Sequence, residues 1–442
     1  MTEVKSVCLG GIFLLLLPLA ASAGAEQIAI RGGTILPVST NPISDGIVLI
    51  ENGKILAIGA DVVVPGGARE IDAKGKFILP GFMDAQSCLY VVDGEPRFVQ
   101  GAPDWNVTDG LDPFVEGWEE VLAQGVTALY VAPPARSGIA GRGAVLRLNG
   151  AKTPAKLVLK ADATVRANLG VSLNNQSSSL ARLNDYADLR EMLIETQAYM
   201  QRKRRYEQDL AEYEKKKKAE QGKEDKKEEK KEDTAAKDKK PQDLKRPDKP
   251  GTDPTHEILG KVLDKKMPLQ ITAHRVQDIL NAMRLAEEFH FSLILDECTE
   301  GYLIAEEIAR RRVPVIAGPV STSFAEVPQV EYRNHDPRNA GILAGKGVQT
   351  AIGVGGRDGL SSKFIATAAG LAVANGMDKD AALRSITLTP AEILGVADRI
   401  GSLDAGKDAD IVVMTGPPFD TASQVVTVLI EGKIVYERKP SP

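Results

Sequence analysis

Residues 77–85 read Phe77-Ile78-Leu79-Pro80-Gly81-Phe82-Met83-Asp84-Ala85, and where this stretch divides decides the architecture. It is apolar enough for a buried strand, and Pro80-Gly81 punctuates it near the middle. Upstream, from Gln27 to about Ile71, the texture is short alternating strands with glycine turns. Asn52-Gly53, between IVLIE and KILAIG, is set for a tight hairpin. Downstream, strands alternate with helices. The stretch therefore carries a domain boundary, which we place between residues 78 and 79.

The C-terminus returns to the first texture. ADIVVMTG is a strand, and VVTVLIEGKIVYE is a hairpin turning at Glu431-Gly432. Isolated hairpins are marginal in water, so the two ends need each other. Residues 26–78 and 403–438 are predicted to form a small β-sandwich, with a larger domain, 79–402, inserted between them. In that domain GVTALYVAP, PLQITAH, FSLILDE, VPVIAGP and VQTAIGVGG read as strands. VQDILNAMRLAEEF and TEGYLIAEEIARRR read as amphipathic helices, the second with Arg310, Arg311 and Arg312 placed against the helix dipole. Such alternation points to a parallel sheet, although the pattern assigns no clear strands near residues 140–180. A chain of 442 residues fits one large barrel and a satellite. The expected fold class is α/β, a TIM-like (β/α)8 barrel with a small β-sandwich built from both chain ends.

Composition sets further bounds. Hydrophobic residues at 43% and aromatics at 5% suit a barrel built on Val, Ile and Leu, and a formal charge of -5 argues against a nucleic-acid partner. Lys5, an apolar run from Val7 to Ala21, and Ala21-Ser22-Ala23 or Ala23-Gly24-Ala25 form the three parts of a secretory signal. The run falls short of the roughly 20 residues that span a bilayer. Residues 1–25 are thus expected to be a cleaved signal, leaving a periplasmic protein without a membrane span. Cys8 precedes the apolar core, which argues against a lipoprotein anchor. Cleavage leaves Cys88 and Cys298, too few for a disulfide scaffold. Residues 203–250 are dominated by Lys, Glu and Asp and are expected to be a solvated insertion within the barrel. Their first part can extend a helix through i,i+4 pairs, whereas beyond Gly222 too little is apolar to fold. Interleaved acids speak against a basic patch.

Leu79-Pro80-Gly81-Phe82-Met83-Asp84-Ala85 resembles the first barrel strand of the amidohydrolase superfamily, close to its imidazolonepropionase-like branch. There Pro-Gly, two hydrophobic residues and Asp lead through a small residue to His-x-His. Ala381-Ala382-Leu383, the run SITLTPAEILGVADRIGSLDAGKDADIVVM and the last strand before Glu431-Gly432-Lys433 are similar to that branch's closing signature. The resemblance covers the mature chain apart from the charged insertion. It implies hydrolysis of C–N or related bonds by one or two divalent metals at the C-terminal mouth of the barrel. It also implies ligands at strand ends: two His after the first strand, one His each after the fifth and sixth, and an Asp after the eighth. A carboxylated Lys often bridges the metals.

This chain departs from that pattern. Gln86 and Cys88 stand where the His pair belongs, His274 is kept, Glu297 replaces the sixth-strand His, and Gly355 replaces the Asp, with Asp358 three residues further on. Lys152 and Lys160 are candidates for the bridge that the pattern does not place. A hydrolytic zinc site typically uses three protein ligands and an open position. The expectation is a degenerate member with no catalytic residues and no cofactor, which keeps its barrel for an unidentified small molecule or protein partner. The alternative is an active hydrolase of non-peptide C–N bonds, holding zinc or another divalent metal in a remodelled site of Cys88, His274, Glu297 and Cys298. Those cysteines can equally be small apolar fillers, or a disulfide if their Cα atoms lie within roughly 7 Å. Gly353, Gly355 and Gly356 form a weak candidate anion site. His256, His290 and His335 are expected in structural or solvent-facing roles.

Overall fold

The computed structural model describes residues 26–91, 102–133, 138–170, 179–228, 245–321, 331–355 and 359–439. The expected signal peptide, Gly356, Asp358 and residues 229–244 of the charged insertion lie outside them. Five strands open the chain: β1 (Gln27–Ile35), β2 (Ile43–Glu51), β3 (Lys54–Gly59), β4 (Arg69–Asp72) and β5 (Phe77–Pro80). Eight follow in the inserted domain: β6 (Phe82–Ser87), β7 (Val126–Val131), β8 (Gly138–Arg147), β9 (Val158–Asn168), β10 (Leu269–Ala273), β11 (Leu293–Glu297), β12 (Val315–Ala317) and β13 (Thr350–Ile352). Three close the chain: β14 (Ile411–Met414), β15 (Val425–Ile430) and β16 (Lys433–Glu437).

Both chain ends share one sheet, in the order β16-β15-β14-β5-β1-β2-β3 with β4 beside β1. β5 makes the join, running parallel to β1 (Ile35 opposite Ile78) and antiparallel to β14 (Leu79 opposite Val412). Ile30, Ile35, Val48, Ile78 and Ile411 gather in the core of this domain. The predicted hairpin turn at Asn52-Gly53 has φ of +51° and +80°, the left-handed pair that a tight two-residue turn requires. It meets the second hairpin turn closely: a Cβ on Gly53 would lie 2.7 Å from the Glu431 carbonyl oxygen.

The inserted strands form a nearly closed eight-stranded barrel, ordered β13-β12-β11-β10-β9-β8-β7-β6. β6 and β13 lie side by side at its seam. The sheet is parallel except at β8, which runs antiparallel to both β7 and β9. This corrects the expectation of a wholly parallel sheet, and the reason is length. Residues 132–137 join β7 to β8, whereas a parallel crossover needs about a dozen residues or more. The link from β8 to β9 is also short and carries only α2 (Pro154–Leu157).

The other helices are α1 (Trp118–Leu122), α3 (Ser179–Glu228), α4 (Pro254–Leu263), α5 (Val276–Phe289), α6 (Ala305–Arg311), α7 (Asn339–Gly345), α8 (Ile365–Ala374), α9 (Lys379–Ser385) and α10 (Leu388–Ile393). Asp253 caps α4 by accepting from the backbone N–H groups of Thr255 and His256. Ala391 and Leu394, at α10 and just past it, pack into the barrel interior with Val396 and Ile400, against Met83, Tyr130 and Ile294. Leu193 and Thr196 of α3 are fully buried, residues 201–219 are mostly exposed, and the α3 helix continues past Gly222 to Glu228. Among the described residues no helix is long and apolar enough to cross a membrane.

Candidate active site at the barrel mouth

β6, β10, β11 and β13 are the first, fifth, sixth and eighth strands of the barrel. Their C-terminal ends carry Gln86, His274, Glu297 and Gly355. Parallel pairing of β10 with β11 sets Ala273 opposite Glu297, so His274 and the β11 acids stand at one end of the sheet. Gln86 reaches across from β6 to β11. Its Nε2 donates to Glu297 Oε1 at 2.7 Å and to Asp296 Oδ1 at 3.1 Å, bridging the seam strand to β11. Asp296 Oδ2 accepts from Thr272 Oγ1 at 3.0 Å and lies 3.3 Å from an Arg166 guanidinium nitrogen.

Asp296 and Glu297 are consecutive, yet both reach Gln86. Strand alternation would send them to opposite faces. It stops here because Glu297 and Cys298 have φ of +66° and +49°, a conformation that costs an L-residue roughly 1–2 kcal/mol. After this turn Cys298 faces away from the mouth, so that a Cβ on Gly301 would lie 2.6 Å from its Sγ. Cys298 packs in the layer between barrel and helices, and neither it nor Cys88 is disulfide-bonded. The disulfide is therefore not formed, and the four-residue remodelled metal set is not assembled around a common point.

Three glycines make room for Gln86. A Cβ on Gly318, Gly353 or Gly355 would stand 2.8, 2.7 or 3.1 Å from Gln86 Oε1. The proposed anion site at Gly353 and Gly355 is thus space taken by a carboxamide. Asp84, from the quoted motif, accepts from the Gln86 backbone N–H at 3.0 Å and from Ser362 Oγ at 2.7 Å, tying β6 to the segment before α8.

Burial dominates the electrostatics. It pushes the Asp84, Asp296 and Glu297 carboxyls above their usual range, most strongly Glu297, where the Asp296 charge adds to the effect and Arg166 opposes it. His274 is fully buried, and burial with the nearby Arg182 and Arg275 cations lowers its pKa to about 3, so the ring is neutral. Its Nδ1 lies 2.8 Å from Thr299 Oγ1, and its ring sits edge-on to Tyr332 with centroids 5.1 Å apart. His274 Nε2, Gln86 Oε1 and Glu297 Oε2 are buried and have no hydrogen-bond partner among the described residues. Native structures leave few such atoms, and those left call for an occupant or a role.

These residues fit a family-type metal poorly. Among the described residues no three His, Cys, Asp or Glu side chains are disposed to hold a metal ion. One carboxylate oxygen of Glu297 is committed to Gln86, and burial pushes the Cys298 thiol well up, away from the thiolate that metals bind. Neither candidate lysine stands in a bridging position. Lys160 Nζ donates to the Leu394 and Gly395 carbonyls at 2.8 and 3.2 Å, at the opposite end of the barrel, and Lys152 lies over the Phe114 ring. The remaining histidines are structural: His256 Nδ1 meets Thr196 Oγ1, His290 ends α5 at φ +60°, and His335 Nε2 meets the Pro319 carbonyl. The sequence reading overlooked Arg166, Thr272, Ser362 and Asp296. Only Asp296 carried a signal, as the first of two acids closing a strand.

Residues 339–435 match the family model described as "Amidohydrolase family". Among solved structures, an amidohydrolase from Thermotoga maritima is 29% identical, with a TM-score of 0.75, covering 93% of this chain and all of that one. An amidohydrolase of Hapsidospora irregularis is 26% identical over 41% of this chain and 18% of its own length. Rat dihydropyrimidinase is 30% identical over 24% of this chain and 19% of its own. The chain thus matches less than a fifth of the length of either curated relative.

Proposed function

We propose that this chain, which belongs to the amidohydrolase superfamily, is an exported member that has given up metal-dependent hydrolysis and uses its barrel mouth to hold a small polar molecule. Members of the family are typically metal-dependent, and the metal-bound water is what makes hydrolysis feasible at neutral pH. The observation that carries the reading is the 2.7 Å bond from Gln86 Nε2 to Glu297 Oε1. A carboxamide N–H donor there occupies a carboxylate oxygen that a cation would need, and it presents no lone pair of its own to a metal. Gly355, where the family places Asp, supplies neither a ligand nor a base. What is left is a set of buried hydrogen-bonding atoms. Gln86 Oε1 accepts, Glu297 Oε2 accepts or donates according to its protonation, and the neutral His274 Nε2 takes the role its tautomer permits. An uncharged ligand with several donors and acceptors suits that set better than an ion.

Metal content of the purified protein tests the first half. No stoichiometric zinc, manganese or iron is expected. One equivalent of tightly bound metal that disappears in His274→Ala would overturn it and favour the second reading, an active hydrolase of non-peptide C–N bonds, for which the bare His274 Nε2 and Glu297 Oε2 would be the natural donors. Export is tested by fractionation with N-terminal sequencing of the mature chain, expected to begin after Ala23 or Ala25 in the periplasmic fraction. A mature protein starting at Met1 would contradict it. The composition fits no nucleic-acid partner.

A further inference from the structure

At the end of the barrel away from the mouth, α5, α6, the turn after α10 and the start of β11 wall a cleft of about 710 Å³. Strand direction fixes its place. Leu293 opens β11 and Val313-Pro314 precede β12, whereas His274 and Glu297 stand at the other ends of their strands. The volume lies within the roughly 300–1,000 Å³ of small-molecule sites. One wall is apolar, from Met283 and Phe291. Four cations, Lys160, Arg310, Arg311 and Arg312, line the rest against a single acid, Glu287.

The cations differ in what holds them. Arg311 pairs with Glu287 and Glu307, and Arg310 pairs with Glu307 at 2.8 Å. Lys160 is held by the Leu394 and Gly395 carbonyls, which fix its position without neutralising its charge. Burial draws its pKa down, with Asp398 acting in the opposite sense. Arg312 makes no ion pair among the described residues. Its backbone, at φ +54°, accepts no freedom of its own, because its N–H closes the end of α6 on the Ala309 and Ile308 carbonyls. A fixed ammonium and an uncommitted guanidinium therefore face one cleft beside an apolar wall.

We propose that this cleft binds an organic phosphate ester, its phosphate on Arg312 and Lys160 and its apolar group against Met283 and Phe291. Guanidinium matches phosphate oxygens in a two-point geometry, and a lysine beside it adds a point charge. Neither half of such a ligand should suffice alone: inorganic phosphate lacks the apolar contact, and the parent alcohol lacks the charge. This site is independent of the barrel mouth and of any reading of it.

Calorimetric titration of the full chain with 1-naphthyl phosphate, inorganic phosphate and 1-naphthol tests the idea. Saturable one-to-one binding of the ester is expected, at least tenfold tighter than either fragment. Arg312→Asn removes the charge while tolerating the left-handed backbone, and Ala286→Trp fills the cleft from α5. Each should weaken the ester at least tenfold, with melting temperature confirming that both variants fold. Absence of saturable binding, equal affinity for 1-naphthol and its phosphate, or binding unchanged in both variants would each overturn the proposal.

Discussion

A Cβ on Gly355 would lie 3.1 Å from the amide oxygen of Gln86 and 3.4 Å from Glu297 Oε1, so position 355 and the Gln86 side chain compete for the same place. The Asp that the family resemblance implies at this position and this chain's Gln are alternatives. Gly355→Asp alone should lower stability, and Gln86→Ala in the same chain should recover part of the loss, giving a coupling of about 1 kcal/mol in a double-mutant cycle. Additive effects by denaturant unfolding would show that the two positions do not contend.

Rebuilding the ligand set is the complementary test. Gln86→His, Cys88→His and Gly355→Asp together return three donors to the neighbourhood of His274. The triple variant is expected to take up zinc measurably where the parent does not, by metal analysis after dialysis. A triple variant that folds and stays metal-free would mean that the left-handed turn at Glu297 and Cys298, rather than the lost side chains, bars the metal.

Removing Gln86 without replacing it exposes the cost of its partners. Gln86→Leu leaves Glu297 Oε1 and Asp296 Oδ1 without that donor in a buried site, a loss of about 1–3 kcal/mol. Urea unfolding at neutral pH reads this directly. A stability equal to wild type would indicate that the two acids find other partners.

His274 should shape the acid limb of the stability curve. Its pKa falls from 6.5 to about 3 in the folded chain. Above pH 6.5 the ring is neutral in both states, and its contribution is fully present. As pH falls below 6.5 the unfolded chain takes up a proton that the folded chain refuses until about pH 3, so stability is lost across that window. Asp84, Asp296 and Glu297, with raised values, run the other way: their contribution is full below the unfolded carboxyl range and lost as pH rises through the raised folded values. Comparing wild type with His274→Gln isolates the histidine. The variant's curve should be shallower between pH 6.5 and 3, and parallel curves would contradict the buried, neutral assignment.

The junction of the two domains rests on Arg147. From β8 it reaches Asp408, Asp410 Oδ2 at 3.1 Å and Glu431 Oε1 at 2.6 Å. Asp408 and Asp410 are buried, so Arg147→Met strands two carboxylates and should cost about 3–5 kcal/mol. Arg147→Lys cannot serve all three acids and should recover only part. A small loss in the methionine variant would mean that Arg399 and Lys54, which also pair with Asp408, carry the junction.

Much of this fold could be read from local pattern. The shared sheet was legible because glycine-punctuated alternation recurs at both ends, and Asn52-Gly53 allows few backbone geometries. Strand ends five and six were legible because each joins an apolar run to a polar residue, and the eighth because its apolar run passes into a glycine cluster. β8 was not, since GIAGRGAVLR holds three glycines and no clean period, and direction is a property of the link rather than of the strand. Arg166 was lost with β9, where Lys160, Asp162 and Arg166 break the apolar run. Gln86 was legible as a position but not as a donor, because its partners lie 210 and 211 residues away and only the closed barrel brings them together.

The pairing of β5 with β14 has a consequence for the life of the molecule. Leu79 finds Val412 across the sheet, roughly 330 residues later in a chain made from its N-terminus at about 5–20 residues per second. Until that partner arrives, one edge of β5 is an open row of backbone donors and acceptors. A chain cut short anywhere in the barrel keeps that edge permanently, whatever else it has managed to fold. The small sheet thus acts as a test of completeness: only a full-length polypeptide hides the surface that proteases and aggregates recognise.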